Sequence, residues 1–133
     1  MNVWVLYPNI HQKLLLRFMP VAIAIPPMTV VAFLSVAPVI EGSMGPAVAK
    51  AVAALDEFDV AYETTPMGTT IEADNITEVF AAAQAAHEAV EADRVSTFLK
   101  IDDKRTVTTG AAEKVESVAE ALGRPPRRDR QST

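Results

Sequence analysis

Few residues in this chain can do covalent or metal chemistry. Its 133 residues include no cysteine and two histidines, His11 and His87. Disulfides, thiolate metal sites and cysteine nucleophiles are therefore excluded. A histidine-based metal site would need carboxylate partners, and no ligand spacing supplies them. There is no Ser-His-Asp set, no phosphate-cradling loop and no metal triad. What remains is hydrogen bonding by polar residues that interrupt apolar stretches. Ser35 interrupts one such run. Thr65, Met67, Gly68 and Thr69 cluster at a Pro-Gly turn. Glu72 closes one strand-like stretch, and Lys100, Asp102 and Asp103 close another. Each also has a plainer role open to it. Threonines suit strands, and Gly68 can serve a turn. Glu72 and Asp102 can pair with Arg94 or Lys100 at the surface, and Asp103 to Arg105 can be a solvated loop. Gly42 and Ser43 precede a helix and either cap it or offer amides to an anion. His87 falls on an apolar helical face, where a structural hydrogen bond competes with ligation.

Hydrophobic periodicity gives the elements that must position these groups. Thr29 to Ala37 (TVVAFLSVA) is β-rich and apolar on both faces, so both faces should be covered. Pro46 suits the first turn of a helix in which Val48, Val52 and Leu55 share one stripe. Val60 to Thr65 alternates, Pro66-Met67-Gly68 turns, and Thr69 to Ala73 returns as a hairpin. Asn75 and Glu78 form a capping-box start. The helix that follows runs to about Glu91, with Val79, Phe80, Ala83, His87 and Val90 on one face. Arg94 to Asp102 is a fourth strand, with Val95, Thr97, Leu99 and Ile101 on one face and Ser96, Phe98, Lys100 and Asp102 on the other. A last helix, Ala111 to Leu122, should turn Val115, Val118, Ala119 and Leu122 inward and end at Gly123. The fold class is therefore α+β: a ferredoxin-like βαββαβ sandwich with an additional C-terminal helix. By analogy with that topology the sheet order is 4-1-3-2. Two helices cover one sheet face, while apolar groups such as Phe98 remain on the other, which predicts self-association.

Composition bounds the function. Half the residues are apolar, enough for one core. Between Met28 and Gly123 there are 16 acidic and 6 basic residues, a net charge of −10. An acidic body argues against nucleic acid, which wants a basic stripe, and fits a cytoplasmic protein. Residues 124–133 are basic, broken by proline, and read as a disordered tail. The first 27 residues differ from the rest. Their apolar run is interrupted by Arg17 and Pro20 and closed by Pro26-Pro27, which is poor for a membrane span of about 20 residues. The small-residue pattern of a cleaved signal is also lacking. The expectation is an extension, disordered or from a misassigned start, with the domain occupying 28–123.

Four stretches, in this order, resemble the thiamine-binding protein family: FLSVAPVIEGSMG (Phe33 to Gly45), YETTPMGTTIEAD (Tyr62 to Asp74), RVSTFLKIDDKR (Arg94 to Arg105, preceded by AAHEAV around His87) and EKVESVAEALG (Glu113 to Gly123). The resemblance implies a homotetramer that binds thiamine or its hydroxymethylpyrimidine moiety without catalysis, as a cytosolic carrier, buffer or sensor. No cofactor or metal is implied. A thiazolium needs a carboxylate or an aromatic face, and an aminopyrimidine needs paired donors and acceptors. With that ligand in view, the candidate contacts are Ser35, Thr65, Met67, Gly68, Thr69, Glu72, Lys100 and Asp102. A ligand-free regulatory scaffold and a minor enzyme of thiamine-precursor metabolism are the alternatives.

Overall fold

A computed structural model describes residues 29–106 and 110–128. The expectations for residues 1–27, and for the end of the basic tail from residue 129, fall outside the described residues. Strand β1 (Val30–Pro38) explains most of the architecture. Its side chains alternate between buried and half-buried along its whole length, because successive residues of a strand point to opposite faces. Val30, Ala32, Leu34 and Val36 face the helices. Val31, Phe33, Ser35 and Ala37 face the other way.

The remaining elements are helix α1 (Gly45–Ala54), a 3-10 turn (Leu55–Glu57), β2 (Val60–Thr65), β3 (Gly68–Ala73), α2 (Ile76–Ala89), β4 (Val95–Asp103) and α3 (Ala111–Leu122). The sheet order is β2-β3-β1-β4, which is the expected order read from the opposite edge. All three pairings are antiparallel. Helices α1 and α2 lie on one face of the sheet. Between them and the strands sit Leu55, Ile71, Val79 and a group of alanines at 51, 73, 82, 83 and 86. Alanine lets helix and sheet approach closely. The larger buried side chains, Leu55 and Ile71, each contribute roughly 1.5–3 kcal/mol by leaving water.

The helix ends follow local chemistry. Asn75 caps α2, its Oδ1 accepting from the Glu78 amide at 2.9 Å. Gly123 ends α3 with φ of 74°, a left-handed conformation that glycine adopts without a Cβ clash.

Two expectations were not met, for one geometric reason each. On α2 the buried residues are Val79, Ala82, Ala83 and Ala86. Phe80 and His87 lie one residue round from that stripe and are exposed. On α3, Val115, Val118 and Leu122 are not inward but 57%, 53% and 48% exposed. That helix buries none of its residues. Its hydrogen bonds to the sheet start near its N-terminus, at Ala111 and Lys114, and no other element among the described residues covers its apolar stripe.

Candidate functional site

The hairpin between β2 and β3 is closed by its own side chains. Thr65 pairs with Gly68 across a two-residue loop of Pro66 and Met67. The Thr65 hydroxyl donates to the Gly68 carbonyl at 2.9 Å and accepts from the Met67 amide at 3.3 Å. Gly68 is needed for a close approach. A Cβ there would lie 2.4 Å from Phe33 Cζ and 2.9 Å from the Leu34 carbonyl oxygen. The turn can therefore lie flush against the middle of β1.

This turn forms one wall of a cavity of about 180 Å³. The second wall is β1 from Leu34 to Ala37. The third is α1 and the turn after it, through Met44, Val48, Ala51, Val52 and Leu55, with Ala86 of α2 beyond. Most of the lining is apolar. Its polar side chains are those of Thr64 and Thr69, on the helix-facing side with Ile71; Ser35 and Thr65 border it from positions that point to the other face, and the Thr65 hydroxyl is engaged in the turn. Thr64 and Thr69 are cross-strand partners, and their Oγ1 atoms are 3.2 Å apart. One of the two must donate to the other, which leaves the pair one free O–H donor and spare lone pairs. Among the described residues no Asp, Glu, Lys, Arg or His lines the cavity. A nucleophile with its base is therefore lacking among its lining residues.

Five of the eight candidate residues, Ser35, Thr65, Met67, Gly68 and Thr69, line this cavity. The other three lie elsewhere. Glu72 is buried, and its Oε1 accepts from the Ala111 amide at 2.6 Å. A carboxylate at the start of α3 also meets the positive end of the helix dipole. Asp102 accepts from Lys114 Nζ at 2.7 Å. That hydrogen bond, with the lysine charge, holds the Asp102 carboxyl below the usual carboxylate range. Both residues thus fasten α3. They do not pair with Arg94 or Lys100. Lys100 stands on the open face beside Phe33, where Phe33 and Phe98 meet edge-to-face at 6.2 Å.

Of the other polar residues singled out in the sequence, Ser43 Oγ accepts from the Gly45 amide at 3.3 Å, in the loop entering α1. His87 Nδ1 is 2.5 Å from Thr97 Oγ1 and ties α2 to β4. Among the described residues no group of three or more His, Asp or Glu could hold a metal ion. No helix among them is long and apolar enough to cross a membrane.

Sequence reasoning passed over Thr64, Met44 and the α1 residues. Thr64 could have been found from the hairpin register, since a two-residue loop puts it opposite Thr69. Of the α1 stripe Val48, Val52 and Leu55, Leu55 alone joins the core, beside Ala51, while all three line the cavity and Val48 and Val52 are half-buried there.

The sequence profile of the thiamine-binding protein family matches residues 32–119. The chain belongs to the thiamine-binding protein family. Relatives of this family share much of the domain. An uncharacterised protein of Methanothermobacter thermautotrophicus is 48% identical over 83 residues, covering 60% of this chain and 84% of its own. A solved structure of a Methanocaldococcus jannaschii protein is 35% identical and covers 71% of this chain and 95% of its own, with a TM-score of 0.58. A candidate thiamine biosynthesis/salvage protein of Thermotoga maritima is 25% identical, with a TM-score of 0.53 over 67% of this chain and 97% of that one. The family and this neighbour support a small-ligand-binding role.

Proposed function

We propose that the chain is a non-enzymatic binding protein for thiamine or its hydroxymethylpyrimidine moiety, held in the cavity beside the β2–β3 turn. The observation that carries this reading is the convergence there of β1, α1 and the turn on an apolar space into which the Thr64–Thr69 hydroxyl pair is set. A largely apolar cleft with a few placed polar groups suits a flat heterocycle. The absence of charged groups among the lining residues favours binding over acid–base chemistry. The family match and the name of the Thermotoga maritima neighbour favour a thiamine-related ligand. A carrier, buffer or sensor in the cytoplasm is the role that fits.

Calorimetry and thermal-shift titration of the full chain with thiamine and with hydroxymethylpyrimidine test the reading. Saturable binding is expected, weakened about fivefold by Thr69→Val, since one hydrogen bond is worth about 1 kcal/mol. No binding or stabilisation at millimolar ligand overturns it.

Self-association belongs to the same reading. The open sheet face has a cross-strand row of Glu63, Thr70, Phe33 and Lys100. It is acidic at the β2 edge, basic at the β4 edge and aromatic between. A second copy related by a twofold axis parallel to the strands would set each Glu63 against Lys100 of the other copy. The half-exposed stripe of α3 offers further apolar surface, and a homotetramer would use both. Sedimentation should show an oligomer, weakened by Lys100→Glu and restored by Glu63→Lys with Lys100→Glu. A monomer at micromolar concentration removes the assembly.

A further inference from the structure

We propose that the exposed stripe of α3 is the docking site of the chain's own residues 14–25, which precede β1. The first ground is the helix itself. Val115, Val118 and Leu122 are 57%, 53% and 48% exposed, and α3 buries none of its residues. A helix of 12 residues is marginal in water unless one of its faces is packed. Its hydrogen bonds to the sheet hold its first turn alone, through Glu72 and Asp102. The stripe beyond that turn calls for a partner.

The second ground is where the chain enters the sheet. Val31, the second residue of β1, pairs with Glu72 on one side and Asp102 on the other. These are the two residues that fasten α3, so the chain ahead of β1 arrives beside the start of that helix. Residues 14–25 read LLLRFMPVAIAI, apolar at all but Arg17 and Pro20. Residues 26–29 link this run to β1, and four residues span up to about 13 Å. The stripe is about 18 Å long at 1.5 Å per residue, and a run of equal length reaches along it even at that compact rise.

The third ground is charge. Residues 1–27 carry Lys13 and Arg17 and no Asp or Glu. The body from Met28 to Gly123 has a net charge of −10, and α3 holds Glu113, Glu116 and Glu120. Lys114, the lysine of α3, is bound to Asp102. Glu116 lies about 100° round the helix from Val115, at the border of the stripe. A cationic apolar run is drawn to such a surface. A second copy of α3 is a poorer occupant, because packing stripe on stripe brings the glutamates of two acidic bodies together. Self-association then keeps the open sheet face alone.

The test is limited trypsin digestion of the full chain, followed by mass at Arg17, the cleavage site inside the run. Cleavage tracks the population of the undocked form, so Arg17 should be cut on the order of tenfold faster in Val118→Asp than in the wild type. Ser117→Asp adds the same charge on the other side of α3 and should leave the rate unchanged. A second measurement uses the lack of native cysteine. Phe18→Cys and Val21→Cys, each combined with Val118→Cys, should close a disulfide within one chain in at least one of the two pairs. Equal cleavage of the wild type and Val118→Asp overturns the proposal, as does the lack of a disulfide in both pairs. Protection that rises with protein concentration, or a disulfide joining two chains, overturns it as well, because either puts a second copy on the stripe.

Discussion

Replacing Gly68 with alanine should destabilise the domain and loosen the cavity wall. The methyl carbon would sit 2.4 Å from Phe33 Cζ and 2.9 Å from the Leu34 carbonyl oxygen. Non-bonded carbons prefer about 3.5–4.0 Å, so the ring contact is short by roughly 1 Å and the carbonyl contact by less. The two neighbours respond differently. Phe33 is half-buried and can swing, giving up its edge-to-face contact with Phe98. The Leu34 carbonyl belongs to the central strand and cannot move without disturbing its pairing with β3 and β4. Overpacking of this kind costs about 1–3 kcal/mol, which is a fall in melting temperature of about 5–20 °C for a domain of this size. Denaturant titration of Gly68→Ala, Phe33→Ala and the double variant separates the contributions. The double variant should be more stable than the sum of the single effects by about 1 kcal/mol, because the ring clash is gone while the carbonyl contact remains. A cost below about 0.5 kcal/mol for Gly68→Ala, or strict additivity with Phe33→Ala, would refute the close-packed turn as the reason for glycine.

Asn75→Ala removes the side-chain cap of α2 and should cost about 1 kcal/mol in denaturant titration. At Asp74 burial, and then the nearby Asp59 charge, push the carboxyl pKa up. The folded state therefore holds this proton more tightly than the unfolded chain, and its carboxylate is a burden above the raised pKa. Asp74→Asn should raise the melting temperature at neutral pH, and the gain should fade as acid protonates the wild-type residue. Asp102 has the opposite sign. Its carboxyl is held low by Lys114, so its contribution is full above the ordinary carboxylate range and is lost as pH falls through the depressed value. Amide exchange in α3 should accordingly quicken only on strong acidification, and Asp102→Asn should abolish that step.

The sheet was legible because burial imposes a period of two. Val95, Thr97, Leu99 and Ile101 lie on the helix-facing side as their alternation requires, and the central place of β1 follows from the topology; its all-apolar pattern overstated the cover, since Val31, Phe33, Ser35 and Ala37 are only half-buried. The Asn75 cap and the Gly123 stop were equally local signals. What escaped depended on distant neighbours. The stripe of α3 is a good amphipathic pattern, but a pattern says which side is apolar and not whether anything covers it. Glu72 and Asp102 read as polar strand ends open to a ligand, and their partners on α3 lie 39 and 12 residues away. Thr64 escaped because its meaning comes from the residue opposite. The cavity followed from neither composition nor period. It arises where the α1 stripe and the turn fail to close over the end of β1.

Among the described residues strand β2 lies at the edge of the sheet, with β3 its one bonded neighbour. The turn it shares with β3 is a wall of the cavity. An edge hairpin opens locally at a smaller cost than a central strand. A ligand that binds only the closed form acts as a clasp on that motion, stabilising it by RT ln(1 + [L]/Kd). Its presence should therefore be felt first as slowed amide exchange between Val60 and Ala73, with the centre of β1 hardly changed. Occupancy of the site would then be written into the breathing of one hairpin, where any protein that touches that edge could read it.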